Sequence, residues 1–207
     1  MAEENPNGRL IALTDGVLSI AMTLLVLDVR LPKTAEGLDN AGLWQAMLDI
    51  RPQIYSYGLS FLVIAIFWLT HVQKFRHVVR KASTVLTWLH ILFLLLIGFV
   101  PFTTDVLAEN GNSVATAVYA VVMATASLLL GCMTVHAQAR GLTDTAAGSA
   151  GLHNVTITQF GNAIIFYASA GVAFVNPEWA KYCWVLLIPM GFVRNRAKTT
   201  VPGSGEV

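Results

Sequence analysis

RLIALTDGVLSIAMTLLVLDVRLP, residues 9–32, decides how the rest of the chain is read. It opens on Arg9 and carries one acid, Asp15, inside an otherwise apolar run. From Leu10 to Leu27 the only other polar side chains are the hydroxyls of Thr14, Ser19 and Thr23. The length suits a bilayer, because about 20 helical residues at ~1.5 Å each cross a hydrocarbon core of ~30 Å. An ionised acid in such a segment is costly unless it is paired, so Asp15 is a candidate functional residue.

Composition agrees. The chain has 207 residues, of which 55% are hydrophobic and 12% charged. Soluble domains carry about 25% charged residues, so this is a membrane protein. A net charge of +1 argues against a nucleic-acid partner. Cys132 and Cys183 offer neither a disulfide framework nor metal spacing.

Five further apolar stretches follow, at about 55–72, 85–102, 114–135, 155–175 and 179–193. The sequence therefore predicts an all-α membrane protein with six transmembrane helices, forming one domain over residues 1–198. Residues 199–207 are expected to be a disordered tail. The polar connection from Pro32 to Pro52 has an amphipathic middle, Leu43 to Ile50. Residues 105–112 read as an acidic, turn-rich loop, and residues 137–154 as a loop rich in Gly, Ala and Thr. The first stretch ends in Asp28-Val29-Arg30 with no small-residue cleavage site, so it is expected to be retained rather than removed as a signal.

Six spans put both termini on one side. Nine of the 13 Lys and Arg residues fall on that side, which places the termini in the cytoplasm. Asp28 then lies at the outer end of the first helix. The basic loop from Lys74 to Lys81 serves as a topology signal. Trp44, Trp88, Trp179, Trp184 and Tyr182 are expected to include interfacial anchors. The spans do not divide into two similar halves, and there is neither a TVGYG-like filter nor a periodic row of arginines. No ATP-binding motif or catalytic constellation is present, so the protein is not read as an enzyme, and no cofactor or bound metal is expected.

At ~100° per residue, with Ile20 at zero, Gly16, Thr23, Leu24 and Leu27 all fall within ~60° of it. Asp15 falls near ~220°, on the other side. Arg9 and Asp15 are ~120° apart and cannot form an (i, i+4) pair. Trp68 and His71 are three residues apart and share a face of the second span. On spacing alone, the Ile20/Leu24/Leu27 stripe is more readily a lipid-facing or core face than a pore wall.

Arg9-Leu-Ile-Ala-Leu13-Thr14-Asp15-Gly16 resembles the Arg-x-x-x-Phe-Ser-Asp signature of the transmembrane protein 175 family, the endolysosomal potassium channels and their prokaryotic relatives. Tyr57-Gly-Leu-Ser60-Phe and Phe67-Trp68-Leu-Thr-His71 resemble the family's second helix, and Leu96 to Thr103 the end of its third. Leu13 stands where the family has Phe, and Thr14 where it has Ser. The resemblance covers the first half of the chain.

What the resemblance implies is a homotetramer whose four first helices line a central, potassium-permeable pore in the bacterial plasma membrane. By that correspondence Ile20, Leu24 and Leu27 form the apolar constriction, Thr23 contributes selectivity and Asp28 stands at the mouth. Arg9, Thr14, Asp15, Trp68 and His71 would join a structural hydrogen-bond network. The implied partners are the chain itself, the lipid bilayer and potassium ions. The alternative is a proton-conducting channel or proton-coupled transporter, because Asp15 and His71 are titratable.

Overall fold

The apolar runs fold as helices because a backbone surrounded by lipid must bond within its own segment. A computed structural model describes residues 7–32, 37–77, 83–143 and 149–184. Helix α1 spans Gly8–Leu24 and continues as a 3-10 turn, Leu25–Asp28. A short α2, Asn40–Asp49, leads almost directly into α3, Arg51–His77. Then come α4, Thr84–Asn110, α5, Ser113–Ala139, and α6, Ser149–Val172. Residues 177–184 are again helical.

Among the described residues, four helical segments are long and apolar enough to cross a membrane: Gly8–Asp28, Arg51–His71, Thr84–Asn110 and Ser113–Ala139. Helix α6 matches the fifth predicted stretch, and residues 177–184 match the start of the sixth. Residues 185–193 of the sixth and the predicted tail at 199–207 lie outside the described residues, as does part of the basic loop, residues 78–82.

One boundary differs clearly from the sequence expectation. Residues 105–110, expected in a loop, are the last turns of α4. The helix passes through Pro101, and the Thr103 hydroxyl donates to the Val100 carbonyl beside it. The turn itself is only two residues long, Gly111 and Asn112. Gly111 ends α4 in a left-handed conformation, φ 58°, with its N–H on the Leu107 carbonyl. Asn112 then caps α5 by accepting the Ala115 N–H at 2.9 Å. Asp39 and Ser83 cap α2 and α4 in the same way.

Helix α5 is the middle of the bundle: 67% of its apolar window is buried, against 28–39% for the other three spans. Its small residues Ala117, Ala120, Ala124 and Gly131 let α4 and α6 approach on either side. A Cβ on Gly131 would sit 3.1 Å from the Phe160 ring. Helix α1 packs on α3 and α4, away from α5 and α6. Its contribution to the core is Ile11, Leu18, Ala21 and Leu25, which meet Ile64 and Phe67 of α3 and Phe93 and Ile97 of α4 in one apolar cluster.

Lipid tails are as apolar as leucine, so side-chain packing and internal hydrogen bonds hold such a bundle together. Ser60 donates to Tyr119 at 3.1 Å and accepts from Thr104 at 2.8 Å, tying α3, α4 and α5 together. Trp184, expected among the interfacial anchors, is instead fully buried. It packs on Tyr119 and Phe166 and donates its indole N–H to Ser169 at 2.7 Å. Trp44, Trp88, Trp179 and Tyr182 are exposed.

Candidate functional site

Helix α1 has two unlike faces. Ile11, Thr14, Leu18, Ala21 and Leu25 recur at helical spacing and are buried against α3 and α4. Leu13, Ile20, Leu24 and Leu27 lie on the opposite face and are exposed by 49%, 59%, 42% and 54%. Thr23 is exposed beside them, and its hydroxyl donates to the Ile20 carbonyl at 2.8 Å. With its proton committed to the helix backbone, the Thr23 oxygen keeps a lone pair free for a cation.

The buried face is fixed by directed polar bonds. Thr14 Oγ1 donates to the Leu10 carbonyl at 2.7 Å and lies 2.6 Å from His90 Nε2 on α4. A hydroxyl has one proton, so His90 Nε2 must carry the hydrogen of the second bond. The other nitrogen of a neutral His90 then accepts, and His71 Nε2 donates to His90 Nδ1 at 3.3 Å. The two rings lie 4.7 Å apart, and His71 stacks on Phe93. Thr14, His71 and His90 are all fully buried. One turn away, Trp68 donates its indole N–H to Asp15 Oδ1 at 2.7 Å.

The single chain thus brings Thr14 to His90 and His71, and Asp15 to Trp68. Arg9 is exposed and makes no bond to any of them. His90 is the member that the sequence reading did not single out. Its signal was there: His90 recurs with Leu86, Phe93 and Ile97 on the buried stripe of α4, where an isolated polar residue needs a partner. Among the described residues, no group of three His, Cys, Asp or Glu side chains comes together as a metal site.

Asp28 closes the 3-10 turn and is partly buried. It lies within electrostatic range of Asp105 and Glu109 at the end of α4, and of Arg30. Arg30 Nε donates to the Leu27 carbonyl, and its backbone N–H donates to Gln53 at 3.2 Å. The end of α1 thereby gains a tie to α3.

These features define an integral membrane protein whose first helix is pinned on one side by a polar network and bare and apolar on the other. A family model described as "Endosomal/lysosomal potassium channel TMEM175" matches residues 9–101, which include every side chain of that network. The chain is 42% identical over 129 residues to a protein of Streptomyces collinus named as a potassium channel, a match covering 60% of this chain and 61% of that protein. It is 33% identical over 139 residues to a potassium channel of Chamaesiphon minutus, covering 65% and 68% of the two chains. Its fold is similar to the crystal structure of a lysosomal potassium-selective channel TMEM175 homologue from Chamaesiphon minutus. That likeness has a TM-score of 0.80 and 25% identity, and it covers 92% of this chain and 98% of the other. The chain belongs to the TMEM175 family.

Proposed function

We propose that this protein is a potassium-permeable cation channel of the bacterial plasma membrane, formed by four copies around a central pore. Each copy would contribute one six-helix unit over residues 1–198 with cytoplasmic termini. The bare stripe of α1 carries the reading: Ile20, Leu24 and Leu27 are exposed on a helix whose rotation is set from behind by Thr14–His90 and Asp15–Trp68. A face that needed only to meet lipid would not require so exact a rotation. One helix cannot enclose a pore, so a pore-lining stripe demands a symmetric oligomer.

Facing an axis, the three apolar residues would form a constriction that gates by dewetting. Thr23 would offer oxygen to an ion that has shed water there, and Asp28 would draw cations to the outer mouth. The names of the relatives support potassium as the permeant ion. The chain needs no energy source for passive conduction, and nothing in the site performs chemistry.

The test is potassium flux from liposomes holding purified protein, run together with cross-linking of an Ile20→Cys variant. Flux that needs no proton counterflow, and oxidation of the variant to linked subunits, are expected. Strictly proton-coupled movement would favour the transporter reading, and monomeric Ile20→Cys in a conducting protein would remove α1 from the axis.

A further inference from the structure

Arg9 is the signature residue that the buried network leaves out. It stands in the first turn of α1, exposed, with no ion pair to it among the described residues. Asp15 lies about 120° around the helix from it and about 9 Å deeper, and its carboxylate is held by Trp68.

The position of Arg9 along the bare stripe is the telling observation. The α-helix is unbroken over Gly8–Leu24. Eleven residues separate Arg9 from Ile20, which at 100° per residue is three turns and about 20°. Leu13 and Gly16 lie between them on the same side, and both are exposed. Helical side chains lean toward the N-terminus, so the guanidinium projects beyond the first turn, about 16 Å or more below Ile20. The apolar stripe thus ends below in a cation, while the carboxylates of Asp28, Asp105 and Glu109 gather at the other end of the helix.

Resting on the pore reading above, we propose that Arg9 lines the cytoplasmic mouth of the pore, where four guanidinium groups form a positive ring that makes the channel pass inward cation current more readily than outward. Cations at the outer mouth are concentrated by carboxylates, whereas those at the inner mouth are depleted by the ring. Four charges about 10 Å from the axis, screened over a Debye length of about 8 Å, lower the local cation concentration about twofold. In about 1 M salt the screening length falls to about 3 Å and the asymmetry fades.

The experiment is single-channel recording in planar bilayers with equal potassium chloride on both sides. At about 0.15 M the current–voltage curve of the unaltered protein should bend toward inward current, and at about 1 M it should straighten. Arg9→Gln should raise outward current about twofold relative to inward, Arg9→Glu should raise it further, and Arg9→Lys should keep the bend. A structural role would instead impair Arg9→Gln and Arg9→Glu alike without ordering them by charge.

A curve whose shape ignores salt in the unaltered protein would overturn the proposal, whatever the variants do. So would unchanged curves for Arg9→Gln and Arg9→Glu. Ile20→Asn separates the two levels: if it changes conductance while the Arg9 series does not, the pore stands and Arg9 lies off its axis. If neither changes anything, the pore reading fails as well.

Discussion

Thr14 of α1 and His90 of α4 meet at 2.6 Å in a fully buried setting, a short polar link between the first helix and the helix packed behind it. Because the Thr14 proton goes to Leu10, the histidine must donate, and that sets the direction of the whole chain of bonds through His71. Thr14→Val keeps the shape of the side chain and removes the acceptor. A hydrogen bond between membrane helices contributes about 0.6 kcal/mol on average, and an orphaned buried donor costs about 1–3 kcal/mol. The orphan dominates, so thermal denaturation in detergent should show a loss of about 1–2 kcal/mol. Thr14→Ser should lose much less. Equal losses for Val and Ser would mean that packing, not the bond, matters at this position.

Asp15 and Trp68 form the second link, at 2.7 Å. Asp15→Ala and Trp68→Phe each break the same bond, so their effects on the assembled protein should be far from additive. Both should lower the temperature at which the oligomer dissociates while leaving ion preference close to that of the parent. The measurement is size-exclusion chromatography after stepped heating, with reversal potentials taken in parallel. Stable oligomers with an altered ion preference would move Asp15 from the scaffold into the conduction path.

These two links also show how far the sequence could be read. The apolar run with one acid, and the Trp68/His71 spacing, pointed to α1 and α3 as the elements of the site. Spacing could not decide whether Ile20, Leu24 and Leu27 were bare, because exposed and core stripes share the same period. Only the packing of α3 and α4 on the Ile11/Leu18/Leu25 face leaves that stripe uncovered. His90 escaped because a single buried donor on an apolar stripe belongs to no motif. The extent of α4 was misjudged for a local reason: Pro101 and the acids after it resemble an exit from the helix, yet the true stop is the left-handed Gly111.

That stop gives a third prediction. At φ 58° a Cβ is strained by roughly 1–2 kcal/mol, and a Cβ on Gly111 would also lie 3.7 Å from Lys181 Nζ. Lys181 donates to the Gly111 carbonyl at 3.4 Å and pairs with Glu178 at 2.7 Å, so the turn is tied to the helical residues at 177–184. Gly111→Ala should destabilise the chain by about 1 kcal/mol, and Gly111→Asn by less, since Asn tolerates this conformation. Thermal melts of the two variants give the comparison, and an Ala variant as stable as the parent would contradict the strain argument.

Ile20 is the most exposed apolar residue among Leu13, Ile20, Leu24 and Leu27, at 59%. If four copies face an axis, Ile20→Asn replaces a ring of hydrocarbon with a ring of amides. Water then remains in the throat, and the barrier that dewetting places before an ion falls. Conductance in planar bilayers should rise several-fold, a change of about 1 kcal/mol in the barrier. Preference for potassium over sodium should decline together with it, because an ion that keeps its water no longer needs the Thr23 oxygens. Ile20→Leu, which keeps the ring apolar, should behave like the parent. An Asn variant with parental conductance and preference would place this stripe against lipid, where an exposed amide lowers stability instead of opening a path.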